Sequence, residues 1–397
     1  MSRLRRTQTR GCYLARQSSG VLVIVSRILP WLVALCLTAC CVPGRPFESL
    51  KVVQDVAASG ANSTALKQST AEPQRKSVTY ESNGRMRGGD LYLPGDRAPE
   101  AGIVLVPGVA RKGYRDPRLV ALANTLARAR FSVLVPDLPN VRRLEVGPED
   151  AHEIAMAFQY LAAQPGLSPE GRAGLAAASY AVGPAVLAAL EPGVRDKVRF
   201  VMGVGGYYDI EEVLTFAITG FYRDTTQRDA QWQKMEPSEY AKWVFLLSNL
   251  ERVPNRRDRG LLRQIAEIKL ENPRAEVGNL VRRLGPQGKT FYKLLTEKDP
   301  ERIPALMKEL PVPVRKDVEA LNLASKDLSQ LKAVLILIHG RNDISIPYTE
   351  SKALAAAAPK SRLFLINNLA HVDIQKGGLT DALRLWCAID ELLSYRR

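Results

Sequence analysis

The feature that most constrains this chain is an alternation of short apolar runs with helical stretches. Ile103-Val104-Leu105-Val106 is apolar at every position, as a strand buried on both faces must be. The same grammar repeats downstream: a helix over 117–129, a strand over 132–136, a helix over 148–163, a strand over 173–178, a helix over 180–190 and a strand over 198–204. Upstream, the runs 77–81 and 90–93, separated by Asn83-Gly84 and Gly88-Gly89, read as an antiparallel hairpin. Strand–helix repetition predicts an α/β protein with a doubly wound, mostly parallel sheet covered on both faces. The alternation stops after Asp209. From 210 to 331 the composition is helical, with Trp232 and Trp243 among many charges, and no internal repeat is evident. The pattern then resumes with a strand over 333–338, a helix over 349–358, a strand over 363–366 and a helix over 379–395. The block 210–331 is therefore expected to be a helical cap inserted between two parts of one sheet domain, 77–209 and 332–397.

Composition sets the outer bounds. The 397 residues suffice for one large domain plus an insertion, and 46% hydrophobic with 24% charged residues is ordinary for a globular chain. The formal charge of +15 is inflated by the N-terminus, where residues 1–39 hold six arginines and no acid. The remaining excess of base reads as a solvated basic face; no zinc-finger spacing or RNA-binding signature points to nucleic acid. Four of the five cysteines lie within the first 41 residues and only Cys387 falls in the body, which excludes a disulfide framework there. With three histidines and no paired Cys/His cluster, no metal site is expected, and no cofactor is implied.

The N-terminus reads as an address. An Arg-rich segment precedes the apolar run 28–37, and Leu37-Thr38-Ala39-Cys40 ends it with small residues before a cysteine. Residues 1–39 are thus expected to be a signal peptide. The Leu-Thr-Ala-Cys run resembles a bacterial lipobox, in which Cys40 would be acylated and hold the protein in the cell envelope. The alternative is an uncleaved anchor helix over 20–42, which Arg27 and Pro30 weaken. Residues 40–76, rich in Ser, Ala, Gln and Thr, are expected to form a flexible tether.

Three residues stand where chemistry is expected. Ser179 follows Gly174-Leu175-Ala176-Ala177-Ala178, small enough for a strand to run tightly into a helix. The other reading is a buried serine in a small-residue packing contact. Asp343 closes His339-Gly340-Arg341-Asn342-Asp343 after a late strand, with helix capping as its alternative role and Asn342 as a rival. Of the three histidines, His152 falls on a predicted helix and His339 ends a strand before Gly340, which leaves His371, placed after the last core strand.

The Ser–Asp–His order, the strand–Ser–helix joint, the runs Val106-Pro107-Gly108 through Asp116-Pro117-Arg118-Leu119, and 133–139 together resemble the α/β-hydrolase superfamily. Within it they are similar to the dienelactone-hydrolase-like or prolyl-oligopeptidase-like bacterial branch. The resemblance covers 77–209 and 332–397. It implies Ser179 as nucleophile, His371 as base and Asp343 as its orienting acid, with the amides of Val109 and Tyr180 as the oxyanion hole. The chain departs from the G-x-S-x-G elbow by carrying Ala177 and Ala181 at both glycine positions, and it has Pro107 where a histidine is common. The implied activity is a membrane-tethered serine hydrolase of the carboxylesterase or lipase-like kind, acting on small-molecule or lipid-like esters through an acyl-enzyme. A non-catalytic envelope protein that uses the fold for binding is the second reading, and a peptidase or thioesterase is the third.

Overall fold

The computed structural model describes residues 44–396 apart from 59, 83, 372 and 375–377. The expected signal peptide, the anchor alternative and Cys40 lie outside the described residues.

Eight strands form one sheet: β1 (Gln74–Ser82), β2 (Arg85–Leu93), β3 (Ala101–Val106), β4 (Phe131–Pro136), β5 (Ala173–Ala178), β6 (Val198–Val204), β7 (Val334–Gly340) and β8 (Ser361–Ile366). Their spatial order is β1-β2-β4-β3-β5-β6-β7-β8. The β1–β2 hairpin and the β2–β4 pair are antiparallel, and every other pairing is parallel. All six residues of β3 and of β4 are buried, which explains why β3 reads as an unbroken apolar run and β4 as one broken only by Ser132.

Helices cover both faces. On one face α4 (Glu149–Ala162) and α5 (Val182–Leu190) pack through Phe158, Leu161 and Val186 against Val104, Leu175 and Leu335 of the sheet. On the other, α3 (Pro117–Arg128) and α12 (Leu379–Ser394) pack through Leu126 and Leu392 against Ile103, Val133 and Ile336.

The expected tether is instead part of this second layer. Residues Pro46–Ala57 form helix α1 and Ala65–Ser69 form α2, with Val52 and Leu66 buried in the same core as α3 and α12. Its attachment is largely polar, which is why its composition reads as a linker. The amides of Gly44 and Arg45 donate to Asp390 at 2.7 and 2.8 Å, and Trp386 Nε1–H donates to Ser49 Oγ at 2.6 Å. Arg396, nearly sealed from solvent, forks onto Glu48 at 2.6 and 2.7 Å and donates to the Ala129 carbonyl at 2.7 Å. A bidentate guanidinium–carboxylate pair of this kind fixes geometry as well as adding attraction. Strand β1 also begins at Gln74, three residues before the sequence pattern suggests. Cys387, the one cysteine of the body, is disulfide-bonded.

The insertion is helical as expected and builds a core of its own. Its helices include α6 (Ile210–Thr219), α7 (Tyr240–Ser248), α8 (Arg256–Glu271), α9 (Pro286–Leu295) and α10 (Val312–Leu321), packed through Trp243, Leu262, Phe291 and Leu306. A two-residue ribbon, Phe221–Tyr222 with Gln233–Lys234, is the non-helical detail that composition does not reveal. The cap is held to the sheet domain by helix α11 (Tyr348–Ala357). Lys352 pairs with Asp224 of the cap, while Glu350 accepts the amides of Tyr208 and Asp209, the last two residues before the cap, at 3.0 and 2.7 Å.

Candidate active site

Ser179 sits at the C-terminal end of β5, where the chain turns through Ser179–Ala181 into α5. Its φ of 58° lies in the left-handed region, a strained conformation for a residue with a side chain. This is the sharp strand-to-helix turn that lifts a serine hydroxyl clear of its surroundings. The alanines at the usual glycine positions are sterically accommodated. Ala177 lies in the strand, and Ala181 has φ −63°, which demands no glycine freedom. The close approach falls on Gly183 instead, where a Cβ would overlap the ring of Tyr207.

Asp343 follows β7 and is fully buried. Its Oδ1 accepts the amides of Ser345 and Ile346 at 2.8 and 3.0 Å, which leaves Oδ2 to meet His371 Nδ1 at 2.8 Å. Burial opposes ionisation of this carboxyl. The hydrogen bonds from His339 and His371 outweigh it and hold Asp343 well below the ordinary carboxylate range. His371 Nε2 stands 2.8 Å from Ser179 Oγ. Asp343, His371 and Ser179 thus form one continuous hydrogen-bonded line. Asn342 is not part of it, since its side-chain amide donates to the Asn367 carbonyl at 3.2 Å.

The other two histidines are placed as the sequence suggests, with one addition. His152 lies on α4, half-exposed, 3.1 Å from Glu191. His339 is buried at the end of β7, with Nδ1 2.7 Å from Ser351 Oγ and Nε2 2.9 Å from the Ile346 carbonyl. Its Nε2 is also 3.4 Å from Asp343 Oδ2, so it braces the acid from behind.

Three supporting residues escape a reading by motif. Gly205, just after β6, has φ 62°, and a Cβ there would lie 3.2 Å from Asp343 Oδ2 and 3.4 Å from His371 Nδ1. A methyl there would crowd the acid–base pair and force it to shift by a few tenths of an ångström, on a backbone that favours glycine. Asp381 accepts the backbone and side-chain amides of both Asn367 and Asn368, at 2.9 to 3.1 Å, and so pins the turn that leads to His371. Asp150, buried on α4, accepts from Tyr180 Oη at 3.0 Å and from the Gly147 amide at 3.2 Å, bracing the residue next to the nucleophile. Burial raises its carboxyl to about 6, against the lowering effect of those donors. Asp381 and Asp150 stand in the first turns of α12 and α4, where an acid reads as ordinary helix-start chemistry, and Gly205 carried no signal.

The line opens into a cavity of about 700 Å³. Ser179, His371, Val109 and Tyr180 all line it, so the two residues expected to supply oxyanion donors share one cavity with the nucleophile. Tyr240 of the cap crosses to the loop after β3 and donates from its hydroxyl to the Val109 carbonyl at 3.2 Å. Among solved structures, one described as a putative hydrolase from Legionella pneumophila matches 88% of this chain and 95% of its own length, with a TM-score of 0.55 at 12% identity.

The chain has the α/β-hydrolase fold.

An acylaminoacyl peptidase of Pyrococcus horikoshii is similar over 79% of this chain at 13% identity and a TM-score of 0.43; the chain spans 40% of that peptidase. A dienelactone hydrolase of Anabaena variabilis is similar over 80% of this chain and 96% of its own, at 14% identity and a TM-score of 0.41. No family model and no curated protein matches the sequence. The parallel strands β5, β7 and β8 all end at the same edge of the sheet, and the loops that follow them bring Ser179, Asp343 and His371 together from separations of 28 and 192 residues. A hydroxyl, an imidazole and a buried carboxylate in this order can pass a proton away from the serine while the acid keeps the ring oriented.

Proposed function

We propose that this protein is a serine hydrolase that cleaves carboxylic esters through an acyl-enzyme. The observation that carries the proposal is the pair of 2.8 Å contacts made by His371, to Asp343 Oδ2 and to Ser179 Oγ, at the floor of a cavity. In the first step Ser179 Oγ attacks the ester carbonyl as His371 Nε2 takes its proton. Asp343 holds Nδ1–H, and so keeps Nε2 as the accepting nitrogen. The amides of Val109 and Tyr180 would receive the developing oxyanion, each worth roughly 3–4 kcal/mol in the barrier. The alcohol leaves with the proton from His371. Water, deprotonated by the same nitrogen, then releases the acid and restores Ser179.

His371→Ala abolishes turnover of short p-nitrophenyl esters, while His152→Ala retains it; equal loss in both variants refutes the assignment of the base. Peptide p-nitroanilides turned over faster than esters would move the activity to the peptidase reading.

The same proposal places the protein at a membrane in the cell envelope through acylated Cys40. Among the described residues no helix is long and apolar enough to cross a membrane, so attachment rests on the segment before Gly44. Cys40→Ala should release the protein from the membrane fraction or leave its leader uncleaved. Unchanged fractionation and processing would instead favour the anchor-helix alternative.

A further inference from the structure

The cavity at Ser179 reaches well past the catalytic line. On one side its wall is the cap, where Val213 and Leu214 of α6 and Ala241, Val244 and Phe245 of α7 face it with apolar side chains. On the other side the wall is α3. Arg118, Ala121, Leu122 and Thr125 line it at offsets of three, four and seven residues, which is a single stripe along one helix face. Asp116 lines the near end, and nine residues separate it from Thr125, about 13 Å of helix axis. The cavity therefore runs along α3 for about that distance, as a trough beside the helix.

The trough ends on the N-terminal helix, at Asp55, Val56 and Ala57 in the last turn of α1. There Thr125 Oγ1–H donates to Asp55 Oδ2 at 2.6 Å, and Thr64 Oγ1–H donates to Asp55 Oδ1. At the near end Asp116 is engaged by the backbone and side chain of Arg118. Both carboxylates in the trough are thus already partnered within the protein. What remains for a ligand is the apolar surface of Leu119, Leu122, Val56 and Ala57. Two walls of this character line the same cavity as the nucleophile.

Building on the hydrolase reading above, we propose that the site takes esters with an extended apolar group on each side of the scissile carbonyl. One group lies under the cap against α6 and α7. The other lies in the trough between α3 and the last turn of α1, which makes Leu122 and Ala57 specificity-determining residues. The segment that resembles a linker in composition is then a wall of the substrate site.

The test compares ethyl decanoate, long on the acyl side, with decyl acetate, long on the alcohol side, by acid release in a pH-stat. Leu122→Trp and Ala57→Trp each lower kcat/KM for one of these esters about tenfold or more relative to the other, and Ala241→Trp reverses the preference. All three variants acting on the same ester, or leaving the ratio within about twofold, overturns the two-arm assignment. Loss of turnover in Ser179→Ala reports the chemistry separately from the arms. Binding of hexyl hexanoate to Ser179→Ala, read by calorimetry, tests the arms without turnover. Leu122→Trp and Ala241→Trp each weaken it about fivefold, and an unchanged Kd for either variant refutes the proposal.

Discussion

Glu350→Gln should stabilise the protein at alkaline pH and leave it nearly unchanged in acid. Glu350 is almost fully buried under the start of the cap, where its carboxylate accepts the amides of Tyr208 and Asp209. Burial, reinforced by the negative charges of Asp209 and Glu212, raises it from 4.5 to about 8, against the lowering effect of the two amides. Between those values the folded protein keeps a proton that the unfolded chain has lost. Stability therefore falls as pH rises through this window and levels off above about 8. At about 1.4 kcal/mol per unit the ceiling is about 5 kcal/mol. Local relaxation and water penetration reduce such penalties, so about 2–3 kcal/mol is expected. For a folded body of about 350 residues that corresponds to roughly 3–4 °C in Tm. Glutamine preserves the oxygen acceptor for both amides and removes the charge. Thermal unfolding should thus show Glu350→Gln about 3–4 °C above the wild type at pH 9 and within about 1 °C of it at pH 5. An equal shift at both pH values, or a loss of stability at pH 9, would refute the argument.

Gly205→Ala places a methyl 3.2 Å from Asp343 Oδ2 on a backbone at φ 62°, so kcat should fall about 10- to 100-fold with KM little changed; steady-state kinetics that match the wild type contradict this role. Arg396→Ala strips Glu48 and the Ala129 carbonyl of a buried donor. Because the Glu48 side chain is 37% exposed, the expected cost is about 2–3 kcal/mol in denaturant unfolding, with α1 opened to proteolysis; a change below about 0.5 kcal/mol refutes the lock.

Much of this molecule was legible because burial on both sides of a parallel sheet writes itself into composition. The wholly apolar 103–106 and the small-residue run before Ser179 needed no structure to be read as strands. The positions of Asp343 and His371 were legible for a related reason, since each lies in the short loop that follows a late strand. Helix α1 was not. Its inward face mixes Val52 with Ser49 and Asp55, two polar residues that are buried because Arg45, Thr64 and Thr125 bond to them, and no periodicity of apolar residues reveals a contact made that way. Gly205 escaped because the requirement it meets, room for an acid and an imidazole to approach, exists only in three dimensions. The same holds for Asp150, whose partner Tyr180 is thirty residues away.

The measurement that tests the central claim most directly is covalent labelling by a fluorophosphonate, followed by intact mass and site mapping. It asks whether Ser179 Oγ is a nucleophile activated by His371. The predicted result is one phosphonyl group per chain on Ser179, absent from Ser179→Ala and strongly slowed in His371→Ala. A folded wild-type protein that takes no label, or takes it equally well without Ser179, would contradict the account.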